Sequence, residues 1–253
     1  MRKARAFVIW EGASLIDSKP VVLIATRGTK GKANKKTGSM IQTYILRADL
    51  DPVTASKTGE DLSICGECPH RKASAGSCYV RVDQGPLIVY KAYKRGVYPR
   101  LSLTEARENL SGELVRLGAY GDPAAIPQSV WEIVLSAAKG WTGYTHQWKT
   151  AEGLKVFCMA SCDSVAEAVL AQSRGWRTFA VVSKLDYATR HGLPVVPNSF
   201  LCPASEEGGR KLTCAECLAC GGTSSPNKAS VYIPVHGAAF KQERFKLITI
   251  GRV

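Results

Sequence analysis

The sequence predicts an α/β protein built from β-α units around a parallel sheet, with an N-terminal β extension and a C-terminal cysteine-rich segment. Strand-like runs recur about every 25 residues in the second half of the chain with helix-like segments between them, the pattern of parallel sheets. These runs are continuously apolar, as expected for strands covered on both faces. Two basic-Gly-Trp joints, at 139–141 and 174–176, are typical of a helix end followed by a strand.

The first 46 residues predict three strands and one basic loop. The strands lie at 6–10, 20–25 and 40–46. The loop, 27–38, has four lysines, one arginine and three glycines and no bulky apolar residue. Two interpretations stay open for it: a loop that grips phosphate groups, or a solvated hairpin tip.

Helices and strands alternate beyond residue 86. We expect helices at 86–96, from Ser102 onward with a Ser102–Glu105 capping box, at 127–138 and at 165–172. We expect strands at 114–117, 141–145, 155–160, 178–182, 229–236 and 241–252.

Polar, titratable or thiol residues follow several of these strands. In parallel sheets the loops at the carboxyl ends of strands carry the active groups. His146 and Asp163 are therefore candidate catalytic residues, although His146 is equally explained as a loop histidine and Asp163 as a helix cap. Cys158 and Cys162 are interpreted as ordinary buried thiols.

The C-terminal segment places four cysteines within nineteen residues, three of them as C-x2-C-x2-C. They are Cys202, which precedes a proline, Cys214, Cys217 and Cys220. Zinc sites usually draw on two separated C-x2-C pairs. A continuous triplet with a distant Cys-Pro is closer to the ferredoxin pattern, so the segment predicts a [4Fe–4S] cluster, with zinc as the alternative.

A second cysteine set, Cys65, Cys68 and Cys78, has the spacing C-x2-C-x9-C. Three thiolates on a cluster leave one iron open to another ligand. His70 is either a fourth ligand or a residue beside the site.

Composition narrows the class of protein. Nine cysteines, an odd number, without an N-terminal export signal argue against a disulfide framework and for a reducing, cytoplasmic setting. No apolar stretch is long enough for a membrane span. The net charge of +13 favours a nucleic-acid or phosphorylated partner, or serves solubility alone.

The order of these features resembles the radical S-adenosylmethionine superfamily. A three-cysteine loop follows an early strand, the next strand ends in Gly118-Ala-Tyr-Gly121-Asp122-Pro, and a later one ends in Ser161-Cys-Asp163. The resemblance implies an incomplete TIM-type barrel, a cluster on Cys65, Cys68 and Cys78, and contacts to S-adenosylmethionine. Residues at the matching positions for those contacts are Gly118, Gly121, Asp122 and Ser161. The superfamily's usual spacing is C-x3-C-x2-C, which this chain does not have. Over most of 40–222 the chain also resembles uncharacterised phage-borne cysteine-rich proteins, which implies a phage-infected bacterial host.

Three hypotheses follow. The first is a radical-SAM-like iron–sulfur enzyme with one or two clusters that acts on a nucleotide or nucleic acid. The second is a non-catalytic iron–sulfur protein that binds nucleic acid or senses redox state. The third is a zinc protein in which Cys65, Cys68, Cys214 and Cys217 form one site. The sequence divides into an N-terminal β segment (1–39), the barrel-like part (40–200) and the cysteine-rich segment with the final strands (201–253).

Overall fold

The structure is a computed structural model that describes residues 3–28, 34–189 and 194–250. The described residues form two compact units. The first draws on the ranges Met1–Asn34, Ser39–Glu67 and Val80–Trp141, and the second on Lys35–Gly38, Cys68–Tyr79 and Thr142–Val253.

A mixed five-stranded sheet forms the core of the first unit. In their order across the sheet, its strands are β1 (Ala6–Ala13), β2 (Pro20–Thr26), β3 (Ile41–Arg47), β4 (Leu114–Tyr120) and β5 (Gly140–Thr142). Strand β2 pairs antiparallel with β1 and β3, whereas β3 and β4 run parallel. The side chains 21–25 of β2 are fully buried, so this strand is covered on both faces.

Five helices accompany this sheet. They are α1 (Pro52–Thr58), α2 (Leu62–Cys65), α3 (Gly85–Lys94), α4 (Leu103–Leu110) and α5 (Gln128–Leu135). The predicted capping box is confirmed, since Ser102 Oγ accepts from the Glu105 amide at 3.3 Å and the Glu105 carboxylate accepts from the Ser102 amide at 2.7 Å. Helices α1 and α2 are not among the helices that the sequence predicts. The carboxylate of Asp51 caps α1 by accepting the amides of Val53 and Thr54 at 3.0 Å.

The second unit contains a five-stranded parallel sheet. Along the chain its strands are β6 (Tyr144–Thr145), β7 (Met159–Cys162), β8 (Thr178–Val182), β9 (Ser199–Leu201) and β10 (Ser230–Pro234), and their order in space is β6-β7-β8-β10-β9. Every neighbouring pair is parallel. Its helices are α6 (Val165–Ser173), α7 (Lys184–Thr189), α8 (Cys214–Cys217) and α9 (Ala239–Ile250). The prediction of an α/β protein with parallel strands is confirmed.

One predicted strand is wrong, and another begins later than predicted. Residues 241–250 belong to α9, which buries Phe245 and Ile248 at helical i, i+3 spacing, and the last two residues of the predicted strand lie outside the described part of the chain. The segment 155–160 begins as a 3-10 turn over Glu152–Val156, and the strand starts only at Met159. In both places apolar residues three apart produce a helical face that a strand-like reading of the same sequence overlooks.

Part of the basic loop lies outside the described residues, including Lys30 and Lys32. Among the residues the structure describes, none of the helices has the length and apolarity that crossing a bilayer requires.

Candidate metal and cluster sites

The four C-terminal cysteines belong to the second unit and converge on one apolar cluster. Cys202 follows β9, Cys214 and Cys217 are the two ends of α8, and Cys220 comes three residues later. Cys202 and Cys220 are buried in this cluster, and Cys214 and Cys217 pack against it. Residues from the sheet complete it: Met159, Val231, Ile233, Tyr144, Phe179, Val181 and Phe200. None of the nine cysteines, all of which the structure describes, forms a disulfide.

The loop after Cys202 turns backbone amides toward its sulfur. The amide and the hydroxyl of Ser205 donate to the Cys202 carbonyl at 3.0 and 2.7 Å, which closes a tight turn. In this turn the amides of Ala204 and Ser205 form hydrogen bonds with the thiol. Burial raises the pKa of Cys202, and these amides and the charge of Lys36 act in the opposite direction.

Local capping fixes the helix that carries Cys214 and Cys217. The Glu216 carboxylate accepts from the amide and the hydroxyl of Thr213 at 2.7 and 2.8 Å. The amide of Cys214 donates to the Lys36 carbonyl at 2.8 Å, so the end of the basic loop is attached to this segment. Leu218 takes the left-handed conformation, with φ of 50°, and ends the helix before Cys220.

The charges of the other three cysteines all act on the thiol of Cys220. Burial is the largest influence and, with the charges of Cys202, Cys214 and Cys217, it raises the pKa of Cys220 to about 12. Tyr144 opposes this shift through a side-chain hydrogen bond to the thiol.

A buried guanidinium lies beside this group. Arg177 is 6% exposed, and it donates to the carbonyls of Gly222 and Ala229 at 2.8 and 2.5 Å. Among the described residues no carboxylate pairs with it, its Nε has no hydrogen-bond partner, and the ionisable group that influences it is Cys220. A buried cation needs a nearby anion. Four thiolates on a metal centre provide negative charge there, so the residues present fit such a centre.

The second cysteine set is divided between the units. Cys65 ends α2 in the first unit. Cys68 and Cys78 belong to the second unit, where the Cys78 amide donates to the His70 carbonyl at 2.9 Å. The assignment of these three residues as cluster ligands stays a prediction.

The glycine turn predicted to contact S-adenosylmethionine lies at the carboxyl end of β4. Gly118 and Gly121 have φ of 62° and 84°. A Cβ on Gly121 would lie 2.6 Å from the Cβ of Ile45, so this position accepts only glycine without a shift of the strand. Asp122 is buried, accepts the Ala124 amide at 2.9 Å, and donates its own amide to the Ile64 carbonyl at 2.5 Å. The turn is therefore bonded to the residue that precedes Cys65.

Ser161, the remaining predicted contact, lies on β7 and is buried. The cap of α6 is Ser164, whose Oγ accepts the Glu167 amide at 3.1 Å, and not the predicted cap Asp163. The side chain of Asp163 therefore does not cap α6. Cys158 and Cys162 are fully buried, as the sequence predicts.

Asp163 instead joins two histidines in the second unit. Its Oδ1 lies 2.8 Å from Nε2 of His70, and its Oδ2 lies 3.5 Å from Nε2 of His146. Nδ1 of His70 lies 2.6 Å from Oγ of Ser77. Both predicted catalytic candidates, His146 and Asp163, are therefore in one cluster, and Ser77 is a member that sequence reasoning missed.

Opposite charges dominate the electrostatics of this cluster. Burial would raise the pKa of Asp163, but His146 and His70 outweigh burial and hold that pKa well below its usual range. Burial would lower the pKa of His146, but the charges of Cys68 and Asp163, together with hydrogen bonds to both, raise it well above its ordinary value. The cluster is a compact arrangement of anionic and imidazole groups.

Comparison of the chain with known protein families, with curated proteins and with solved structures finds no match.

Proposed function

We propose that this is an iron–sulfur protein that binds a [4Fe–4S] cluster through Cys202, Cys214, Cys217 and Cys220. The observation that carries the proposal is the convergence of four thiols, none of them in a disulfide, on one apolar cluster beside the buried cation Arg177. A cluster bound there supplies a one-electron redox centre. The cysteines hold it, the apolar side chains limit water access, and the amides of Ala204 and Ser205 stabilise negative charge on sulfur.

Iron–sulfur ligation is favoured over zinc by sequence order and by the surroundings. The uninterrupted C-x2-C-x2-C run with a distant Cys-Pro is close to the cysteine pattern of ferredoxins, whereas zinc sites usually use two separated C-x2-C pairs. Hydrogen bonds to the sulfurs, as at Cys202 and Cys220, are one means by which proteins set the potential of such clusters.

Replacement of one ligand tests the proposal. In Cys217→Ser, we expect anaerobically purified protein to lose about four irons and four labile sulfides per chain relative to wild type. Cys162→Ser is the matched control, because this buried thiol is influenced by Asp163, Glu167 and Lys149 and not by the four cysteines. Wild-type iron and sulfide in a folded Cys217→Ser protein would contradict the ligand assignment, and zinc without sulfide in the wild type would replace the cluster by a zinc site.

A radical-SAM-like enzyme is the second candidate, and one bond favours it. The Asp122 amide bonds the Ile64 carbonyl, which brings the glycine turn against the residue before Cys65. In this proposal the chain is an incomplete TIM-type barrel, Cys65, Cys68 and Cys78 hold a second cluster with an open iron, and the turn and Ser161 contact S-adenosylmethionine. A change in the EPR signal of the reduced cluster on addition of S-adenosylmethionine is the expected result. An unchanged signal in protein with about eight irons would exclude this enzyme and leave a non-catalytic redox protein.

For both candidates, the iron–sulfur protein and the radical-SAM-like enzyme, the proposed substrate or partner is a nucleic acid or a phosphorylated molecule. The support is the net charge of +13, which attracts polyanions without regard to sequence. The nine cysteines support a reducing, cytoplasmic setting as part of the proposal, and the phage-infected bacterial host rests on the resemblance to phage-borne cysteine-rich proteins.

A further inference from the structure

We infer that His70, His146 and Asp163 form a binding site for a divalent transition-metal ion, distinct from the four-cysteine site. All three residues belong to the second unit. One ligand atom from each lies within 4.8 Å of the others, a separation that a single ion can bridge. The inference goes beyond the proposed cluster and does not depend on it.

The ligand atoms face one small volume. Nε2 of His70 and Nε2 of His146 approach different oxygens of the Asp163 carboxylate, at 2.8 and 3.5 Å. The two imidazole rings meet edge to face with centroids 5.3 Å apart. Two imidazoles and one carboxylate are the ligand set of many zinc and non-haem iron centres, and three protein ligands leave a position open for water or substrate.

The surroundings of His70 orient it as a metal ligand. A metal-bound histidine usually donates its second ring N–H to an oxygen, and Oγ of Ser77 lies 2.6 Å from Nδ1. In that tautomer Nε2 presents its lone pair beside Oδ1 of Asp163, so both atoms can bind one ion; in the other tautomer the same 2.8 Å contact is a hydrogen bond from Nε2–H to the carboxylate. The ring is also stacked on Phe245, with centroids 5.9 Å apart and planes 7° from parallel.

Asp163 is too deeply buried to be an ordinary surface acid. The residue is 1% exposed. Its Oδ1 is paired with Nε2 of His70 at 2.8 Å, whereas its Oδ2 has only a long contact of 3.5 Å to Nε2 of His146. A buried carboxylate is costly unless it is paired or coordinates a metal. A dication between this carboxylate and the two imidazoles satisfies it directly.

The donor types define the class of ion. Imidazole nitrogens favour zinc and iron over magnesium and calcium, which prefer sites built from oxygen alone. The thiol of Cys68 is hydrogen-bonded to His146, which places a soft donor beside the site. An ion with an open position there supplies a Lewis acid that polarises an oxygen of water or substrate. We take Zn²⁺ as the probe because it binds more tightly than Fe²⁺ or Mn²⁺ to most such donor sets.

Zinc stoichiometry of the full-length protein tests the inference. Protein washed with a chelator is titrated with Zn²⁺ by calorimetry, with labile sulfide measured on each sample. We expect wild type to bind one zinc ion per chain more than Asp163→Asn and His146→Gln. His236→Gln is the matched control, because this histidine lies outside the cluster and its Nδ1 contacts the Pro234 carbonyl. It should bind zinc as wild type does.

A third variant tests whether Ser77 orients the His70 ring toward the ion. Ser77→Ala should retain the zinc ion with an affinity lowered by about 10- to 100-fold, the usual effect of removing the oxygen that orients a ligating histidine. If Asp163→Asn does not fold, His70→Gln replaces it, since this side chain is 16% exposed.

Equal zinc stoichiometry in wild type, His146→Gln and His70→Gln would overturn the inference. The readout is a difference between proteins with the same four cysteines, so it holds whether those cysteines carry a cluster, zinc or nothing. Loss of labile sulfide from wild type would count against the proposed cluster alone.

Discussion

Arg177 and Tyr144 are the single residues that most directly support the proposed anionic cluster in the second unit. Arg177 is a buried cation bonded to two carbonyls, and Tyr144 is hydrogen-bonded to Cys220. Neither would be selected from the sequence, because each lies far along the chain from the cysteines. A cluster of four thiolates gives both residues an electrostatic partner.

Removal of the Tyr144 hydroxyl is expected to shift the cluster potential. A hydrogen bond to sulfur stabilises the reduced, more negative cluster more than the oxidised one. Tyr144→Phe should therefore lower the potential by about 30–60 mV, where 59 mV is a tenfold change for one electron. Redox titration followed by EPR measures the shift. Tyr187→Phe, on α7, should leave the potential at its wild-type value, and an unshifted Tyr144→Phe would place the hydroxyl outside the influence of the cluster.

Only part of the histidine–aspartate cluster could be recognised from the sequence. His146 and Asp163 were recognisable because each follows a predicted strand, where parallel sheets carry functional groups. The partnership with His70 was not, since 93 residues separate it from Asp163. Ser77 carries no signal in the sequence at all.

At the scale of elements, the cysteine helix α8 and the turn after it form a rigid support for the site. Gly222 has φ of 65°, and a Cβ on it would lie 2.6 Å from the Lys155 carbonyl oxygen and 2.7 Å from the Cys158 nitrogen. Its carbonyl accepts the Arg177 guanidinium. The backbone two residues after Cys220 is therefore packed against other backbone and has no room for a side chain.

A methyl group at Gly222 is expected to displace Cys220. Gly222→Ala should cost about 1–3 kcal/mol from crowding in addition to about 1–2 kcal/mol for the left-handed conformation. Its iron content should fall with the loss of stability. Gly175→Ala is the control, since Gly175 has φ of 78° but nothing within 4 Å of its Cβ position. Urea unfolding and iron analysis compare the two, and equal losses in both would show that crowding at Gly222 has no influence on the site.

Elements with clear local signals were predictable, and those decided by packing were not. Strand β8 and helices α4 and α6 follow from apolar runs and capping residues. Helix α9 was wrongly predicted as a strand, because its apolar residues are ambiguous until Phe245 and Ile248 pack on one face. Helix α1 depends on the cap Asp51, which resembles an ordinary loop residue in the sequence, and the four-residue helix α2 has no side-chain cap.

At the scale of the whole molecule, the chain forms two units, each with its own sheet, and local sequence patterns do not predict this division. The α/β class follows from the alternation of strands and helices, and it is confirmed. The interleaving of the units is not predictable, because segments as short as Lys35–Gly38 join the second unit through individual bonds such as that from the Cys214 amide to the Lys36 carbonyl. The candidate cluster ligands were predictable because cysteine spacing is itself the chemical signal.

The excess positive charge predicts salt-dependent binding of nucleic acid. Glutamine at four loop lysines should weaken binding and flatten its salt dependence, because fewer counterions are released. These residues are Lys30, Lys32, Lys35 and Lys36. The control removes the same charge from four scattered positions: Lys57, Lys91, Lys139 and Lys184. Fluorescence anisotropy over a range of salt concentrations measures both. Equal effects would assign the binding to net charge, and no effect in either would remove nucleic acid as a partner.

X-ray absorption at the iron and zinc edges of anaerobically purified wild-type protein tests the central claim most directly. The proposed cluster predicts iron with a shell of sulfur neighbours and a nearby iron scatterer. Zinc with four sulfur neighbours at about 2.3 Å, and no iron, would contradict it.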